Sequence, residues 1–144
     1  MIYEIKDEQD PYSRYVLEDP VRAHIPLVER FGNNRHVFAL LDDNLITAIV
    51  CSKLCSVVPN NEQSLLEDNC KNPNTIVFYT IWSYKPGAGQ KLITEGLKLV
   101  KSKFSNIDKY VTLSPPTEMA RRFHLKNGAT VYRVNEDTVN YEYK

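Results

Sequence analysis
The order of segments along the chain predicts an α/β (α+β) mixed sheet, formed by residues 1–144 as one domain, and three observations carry that prediction. Residues 75–84, TIVFYTIWSY, are β-branched or aromatic almost throughout, as a central strand covered on both faces requires. From Gln90 the apolar residues Leu92, Ile93, Leu97, Val100 and Phe104 follow the i, i+3, i+4 rule of a helix packed on a sheet, with Lys91, Lys98, Lys101 and Lys103 mostly on its solvated side. Two pairs of strand-like runs are joined by turn residues, Asp42-Asp43-Asn44 in the first half and Asn135-Glu136-Asp137 near the end.

The other elements follow in order. MIYEIK begins as a short strand. EDPVRAHIPLVERFGNN (18–34) reads as helical, closed by Gly32 and two asparagines, and Pro26 within it implies two short helices or one kinked helix. Residues 59–74 are polar and read as a loop, with one helical turn around Leu65 and Leu66. KYVTLS is a strand, SPPTEMARRFHLKNGA is a helix that opens on Ser-Pro and stops at Gly128, and ATVYRV and TVNYEY close the sheet. Tyr141 and Tyr143 alternate on that last strand, where two copies of the chain could pair as a homodimer.

Composition narrows the function classes. The chain is 42% hydrophobic and 25% charged, enough apolar matter for a core, and 18 Lys and Arg balance 18 Asp and Glu. Without an overall positive field, nucleic-acid binding is not expected. No run approaches the ~20 apolar residues of a membrane span and no signal peptide opens the chain, so a cytoplasmic protein with no membrane partner is expected. Cys51, Cys55 and Cys70 are odd in number and sparse, which fits a reducing compartment. On a strand Cys51 and Cys55 share a face at a separation of roughly 13 Å, too far for a disulfide or chelate, and read as small apolar core residues.

One stretch suggests chemistry. The central strand breaks at Pro86-Gly87-Ala88-Gly89 and restarts as a helix, which places unpaired N–H groups and the positive end of a helix dipole together. Such an elbow suits a phosphate. It is neither a Walker A loop nor a full dinucleotide fingerprint, and by itself it also suits a plain turn.

With its neighbours the elbow resembles the GNAT superfamily of acyl-CoA enzymes: a central strand, a G-x-G elbow and helix, a further strand, then a helix with A-x-x-F ending in Asn-Gly-Ala. The resemblance implies a mixed, mostly antiparallel sheet with helices on both faces. It also implies coenzyme A pyrophosphate on the elbow at Lys85, Gly87, Ala88, Gly89 and Gln90, and an acyl thioester in the gap between two splayed central strands. Two positions depart from the family pattern: Tyr84 stands where Gln or Arg is usual, and His124 stands where a tyrosine often protonates the CoA thiolate. FYTIW, TLSP, FHLKNGA and VNYEY, within residues 75–143, resemble the catalytic domain of malonyl-CoA decarboxylases. In that family a serine and a histidine form the catalytic pair, which implies Thr80 and His124 here, with Ser114 and Asn127 as further site candidates.

The residue types fit such chemistry. Decarboxylating a β-carboxy thioester creates an enolate, so the site needs donors toward the thioester oxygen and a proton source. A hydroxyl and an imidazole can supply both, and no metal is required. The substrate expected is a coenzyme A thioester, acetyl-CoA or malonyl-CoA. A second reading is transfer of an acetyl group to an amine, whose identity the sequence leaves unknown. Residues 75–84 hold no Asp or Glu for a simple base, although Glu62, Glu67, Asp68 or a water chain could serve. A third is a non-catalytic acyl-CoA-binding module.

Overall fold
A computed structural model describes all 144 residues, Met1–Lys144. The strands are β1 (Ile2–Ile5), β2 (Arg35–Asp42), β3 (Leu45–Cys55), β4 (Thr75–Ser83), β5 (Lys109–Thr112), β6 (Thr130–Val134) and β7 (Val139–Tyr143). They form one seven-stranded sheet in the order β1-β2-β3-β4-β5-β7-β6, which puts the residue 75–84 run at its centre. All neighbours are antiparallel except β4 and β5, whose parallel pairing is made possible by the crossover helix α2 (Ala88–Lys103). The β2–β3 hairpin turns on Asp43 and Asn44 at φ of 51° and 67°, the backbone that a two-residue hairpin with the sheet's own twist demands.

Alternation along the strands feeds two cores. Phe38, Leu40, Val50, Ile76 and Phe78 face α2 and meet Leu92 and Val100, while Val37, Ala39, Ile49, Cys51, Val77 and Tyr79 face the other way and meet Val16, Ile25, Phe31 and Leu65. Each fully buried aliphatic side chain contributes about 1.5–3 kcal/mol. The second face is covered by α1 (Glu62–Glu67) and by two 3-10 helices, Ser13–Glu18 and Leu27–Arg30. A third core joins α3 (Glu118–Lys126) to β7 through Phe123, Leu125, Ile93, Tyr141 and Tyr143. No helix is long and apolar enough to cross a membrane.

Three β-bulges shape the sheet, the first on β3, where Leu40 pairs with Ala48 and Leu41 with Ile46, so Thr47 is an extra residue. On β4, Thr80 pairs with Cys51 and Phe78 with Ser52, so Tyr79 is an extra residue. On β6, Val131 pairs with Tyr141 and Arg133 with Asn140, so Tyr132 is extra.

Three expectations are corrected. Residues 19–26 are turns rather than helix, because Asp19 Oδ1 accepts the N–H groups of Val21 and Arg22 at 2.8 Å each and Pro20 and Pro26 bracket the segment. The helix before Gly128 is capped by Thr117, whose hydroxyl accepts the N–H of Ala120, rather than opened at Ser114, which bridges to Val139. β7, with its buried Tyr141 and Tyr143, lies between β5 and β6 and offers a second copy no edge; the edge strands are β1 and β6.

Candidate functional site
The parallel ladder between β4 and β5 runs from Thr75↔Lys109 to Phe78↔Thr112 and ends with a bond from Leu113 N to Phe78 O at 3.2 Å. The next donor on the β5 side would be residue 115. It is a proline and has no N–H. Ser114 instead exchanges two 2.9 Å bonds with Val139, which draws this strand toward β7 while β4 stays with β3. The strands therefore part. Because Thr80 and Trp82 are opposite Cys51 and Ile49, and Tyr84 N bonds Thr47 O at 2.8 Å, the alternation of the ladder turns the N–H groups of Ile81 and Ser83 into the gap.

One side of the gap carries buried charge. Arg22 donates through Nη1 to Tyr79 O and, at 3.3 Å, to Thr80 Oγ1, and through Nη2 to Leu113 O at 2.9 Å. It thus ties together the two carbonyls that the bulge and Pro115 leave facing each other. Its segment is locked in turn: Arg30 pairs with Asp19 at 2.8 Å, donates to Arg22 O at 2.6 Å and reaches Cys51 Sγ at 3.4 Å, and all three charged groups are buried. Burial pushes the Cys51 thiol up to about 11, so it stays protonated beside Arg30. Arg22 Nε lies 3.1 Å from Glu62 Oε1 but is not aimed at it, and it is the one fully buried side-chain N or O without a hydrogen bond. Glu62 also meets His24 Nε2 at 2.5 Å.

The elbow lies at the end of β4. Gly87 has φ of +81° with open space around it, so backbone conformation alone requires glycine there. Gly89 has a different reason: a Cβ would come within 3.2 Å of Phe123 Cε1, so its bareness lets α3 pack onto the elbow. Ala88 N is taken by Lys85 O at 3.1 Å, whereas the N–H groups of Gly89 and Gln90 have no acceptor in the protein. Two donors thus stand free at the positive end of α2. Lys85 itself is exposed and pairs with Asp42 at 3.1 Å.

The other side of the gap is neutral. His124, one residue past Phe123, is the buried residue of α3. Its ring stacks on Tyr141 at 5.1 Å, and Nδ1 is 2.7 Å from the Tyr143 hydroxyl. Burial lowers its pKa from 6.5 to about 4 and raises that of Tyr143, so at neutral pH both carry no charge. The hydroxyl can donate to Nδ1 or accept from it, and the arrangement in which Tyr143 donates is the one that puts the imidazole proton on Nε2.

The residues expected at the site separate into groups. Gly87, Ala88, Gly89 and Gln90 form the elbow beside Lys85, and Thr80 lies at the bulge. No hydrogen bond joins Thr80 to His124: the hydroxyl meets Arg22, and the imidazole meets Tyr143 under α3. Ser114 is buried and donates to Thr112 Oγ1 at 2.8 Å, and Asn127 closes α3, its side chain donating to Phe123 O at 2.8 Å. Two open depressions, about 550 Å³ beside α1 and about 520 Å³ at the foot of α2, include no elbow residue and neither Thr80 nor His124. Sequence reasoning missed Arg22, Asp19 and Arg30. Only Asp19-Pro20, a turn signal with a capping carboxylate, hinted that the segment was not helical.

No family model matches the chain, and no curated protein sequence matches it. Solved structures do. Malonyl-CoA decarboxylase from Agrobacterium vitis superposes with a TM-score of 0.84 at 18% identity, over 100% of this chain and 60% of that one. The GNAT domain of PAT from S. lividans gives 0.66 at 13% identity, over 99% and 88%. PaiA N-acetyltransferase from Thermoplasma acidophilum, in complex with coenzyme A, gives 0.63 at 13%, over 100% and 99%. The chain spans about 60% of the length of the malonyl-CoA decarboxylase structures it matches. At such identities these likenesses bear on architecture, and the architecture is clear: the chain has the GNAT fold, and its backbone follows that of malonyl-CoA decarboxylase along its whole length.

Proposed function
We propose that the chain binds an acyl-CoA, with the pyrophosphate on the elbow at residues 85–90 and the thioester in the gap between β4 and β5, and acts on that thioester in the manner of a malonyl-CoA decarboxylase. The observation that carries this reading is the divergence of the two strands after Phe78 and Thr112, together with two free N–H groups at the start of α2, the helix that follows β4. The Ile81 N–H turned into the gap is a donor for the thioester oxygen. In decarboxylation the bond from the α-carbon to the carboxylate breaks, CO2 leaves, and the electron pair spreads onto that oxygen as an enolate. A proton added at the α-carbon then completes the product. Thr80 offers its hydroxyl from the Arg22 side and His124 its Nε2–H from the α3 side. His124 acts as a neutral donor, since its ring is uncharged at pH 7.

A second reading, transfer of an acetyl group to an amine, is favoured by one observation: the chain spans 99% of PaiA N-acetyltransferase but 60% of the decarboxylase. Against it, Arg22 bridges the two strands from the side of the 3-10 helices and sets a buried positive charge there, which repels an ammonium acceptor.

The test is incubation with malonyl-CoA and, separately, with acetyl-CoA plus a panel of amines, with the CoA species followed by mass spectrometry and with Thr80→Val and His124→Ala alongside. Conversion of malonyl-CoA to acetyl-CoA, at least tenfold slower in His124→Ala, is expected. Release of CoA only in the presence of an amine would replace this reading with the second, and binding without turnover would leave a non-catalytic module.

A further inference from the structure
The guanidinium of Arg22 has more donors than the protein uses. Of its five N–H groups, three go to Tyr79 O, Thr80 Oγ1 and Leu113 O; Nε–H and one N–H on Nη2 remain. Nε is fully buried and unpartnered, an arrangement that costs free energy unless something occupies it. Charge gives the same result. Arg22 and Arg30 are both buried, and the buried carboxylate in reach, Asp19, is committed to Arg30. Burial pulls the Arg22 pKa below its ordinary value, with Glu62 the foremost group opposing that. The resident counter-charge is therefore Glu62, on the first turn of α1, 3.1 Å from Nε and poorly aimed. Its side chain keeps 31% of its surface in solvent and shares its second oxygen with exposed His24, so it can swing out without leaving a buried charge behind.

We infer that Arg22 is a specificity-determining residue that reads a carboxylate at the end of the acyl chain, taking it on the two N–H groups that Glu62 now shadows. The inference rests on the proposed seat of the thioester in the β4–β5 gap and adds to it the residue that recognises the far end of the acyl group. Arg22 lies against Thr80, so an acyl chain that enters between the strands meets the guanidinium at its end. A methyl end leaves Nε–H unpaired and Glu62 in place. A carboxylate end makes two charge-assisted bonds and releases Glu62 to water.

Calorimetric titration of the chain with two thioesters of equal length, succinyl-CoA and butyryl-CoA, tests this. Wild-type protein is expected to bind succinyl-CoA about tenfold or more tightly than butyryl-CoA, the scale of one charge-assisted pair of bonds. Glu62→Gln, a change at a half-buried position that leaves the three Arg22 clamp bonds whole, is expected to widen that preference. Arg22→Lys keeps the charge and loses the fork, and is expected to bring the preference close to one while butyryl-CoA affinity holds within about twofold. Equal wild-type affinities, or an Arg22→Lys loss shared equally by both ligands, would reduce Arg22 to a strand clamp. Failure of wild-type protein to bind either thioester would remove the acyl-CoA reading itself, and this inference with it.

Discussion

The two sides of the β4–β5 gap are built on opposite electrostatic principles. Toward the 3-10 helices the protein buries Asp19, Arg22 and Arg30, pairs Arg30 with Asp19 and Arg22 with Glu62, and gives both guanidiniums main-chain carbonyls, leaving Arg22 Nε alone without a hydrogen bond. Toward α3 it buries an imidazole among Phe123, Tyr141 and Tyr143 and gives it no charged partner. The first side gains a fixed positive charge at the cost of desolvation. The second gains a proton donor that stays neutral, because nothing near it repays the burial of a charge. A thioester between them would meet an electrostatic gradient set by the fold and not by solvent.

The largest expected effect comes from breaking the charged side. Asp19→Ala leaves Arg30 buried without its carboxylate and frees the Val21 and Arg22 turn; a loss of about 3–5 kcal/mol in urea unfolding is expected. A loss under about 1 kcal/mol would mean that the carbonyls alone hold the cations.

The neutral side is tested with acid. His124 has a folded pKa of about 4 against 6.5, so the fold resists a proton that the unfolded chain accepts. Its stabilisation is complete above pH 6.5 and is lost as pH falls through the window from 6.5 to 4. Up to about 3 kcal/mol should disappear there in the wild type and be retained by His124→Phe, as read from unfolding free energies at stepped pH. The same acid profile in both proteins would show that the imidazole is not the group being titrated.

A smaller effect sharpens the contrast by touching neither side. Gly87→Ala forces a side chain into φ of +81° at the elbow and should lower thermal stability by about 1 kcal/mol. An unchanged melting temperature would mean that the elbow relaxes freely.

These regions differed in how far the sequence disclosed them. β4, α2 and α3 were legible because each shows its burial in its local residue pattern: TIVFYTIWSY as the unbroken apolar run of a covered strand, Leu92, Ile93 and Val100 as a stripe. Residues 12–31 were not, since their shape depends on bonds to distant groups, such as Arg22 to Leu113 O, and on the Asp19 side chain, which local propensity does not register. Pro115 was visible as part of a helix entrance. Its other effect, ending a ladder, exists only once β5 lies beside β4. The His124–Tyr143 contact likewise joins residues 19 positions apart through α3 and β7, and it becomes apparent only when the last strand lies inside the sheet.

The bulge at Tyr132 bears on how the protein behaves in a crowd. An outer strand is the natural template on which another chain adds itself, and β6 is outermost, with Val131 and Val134 uncovered. The extra residue breaks the even spacing of its outward N–H and C=O groups, and the Lys109 and Arg133 cations lie 5.1 and 5.8 Å from the Tyr132 ring. An incoming strand would find donors out of step and two positive charges in its path. At this edge the sheet resists an eighth strand, and a change that flattened β6, such as deletion of Tyr132, is expected to turn a guarded edge into a seed for fibrous growth.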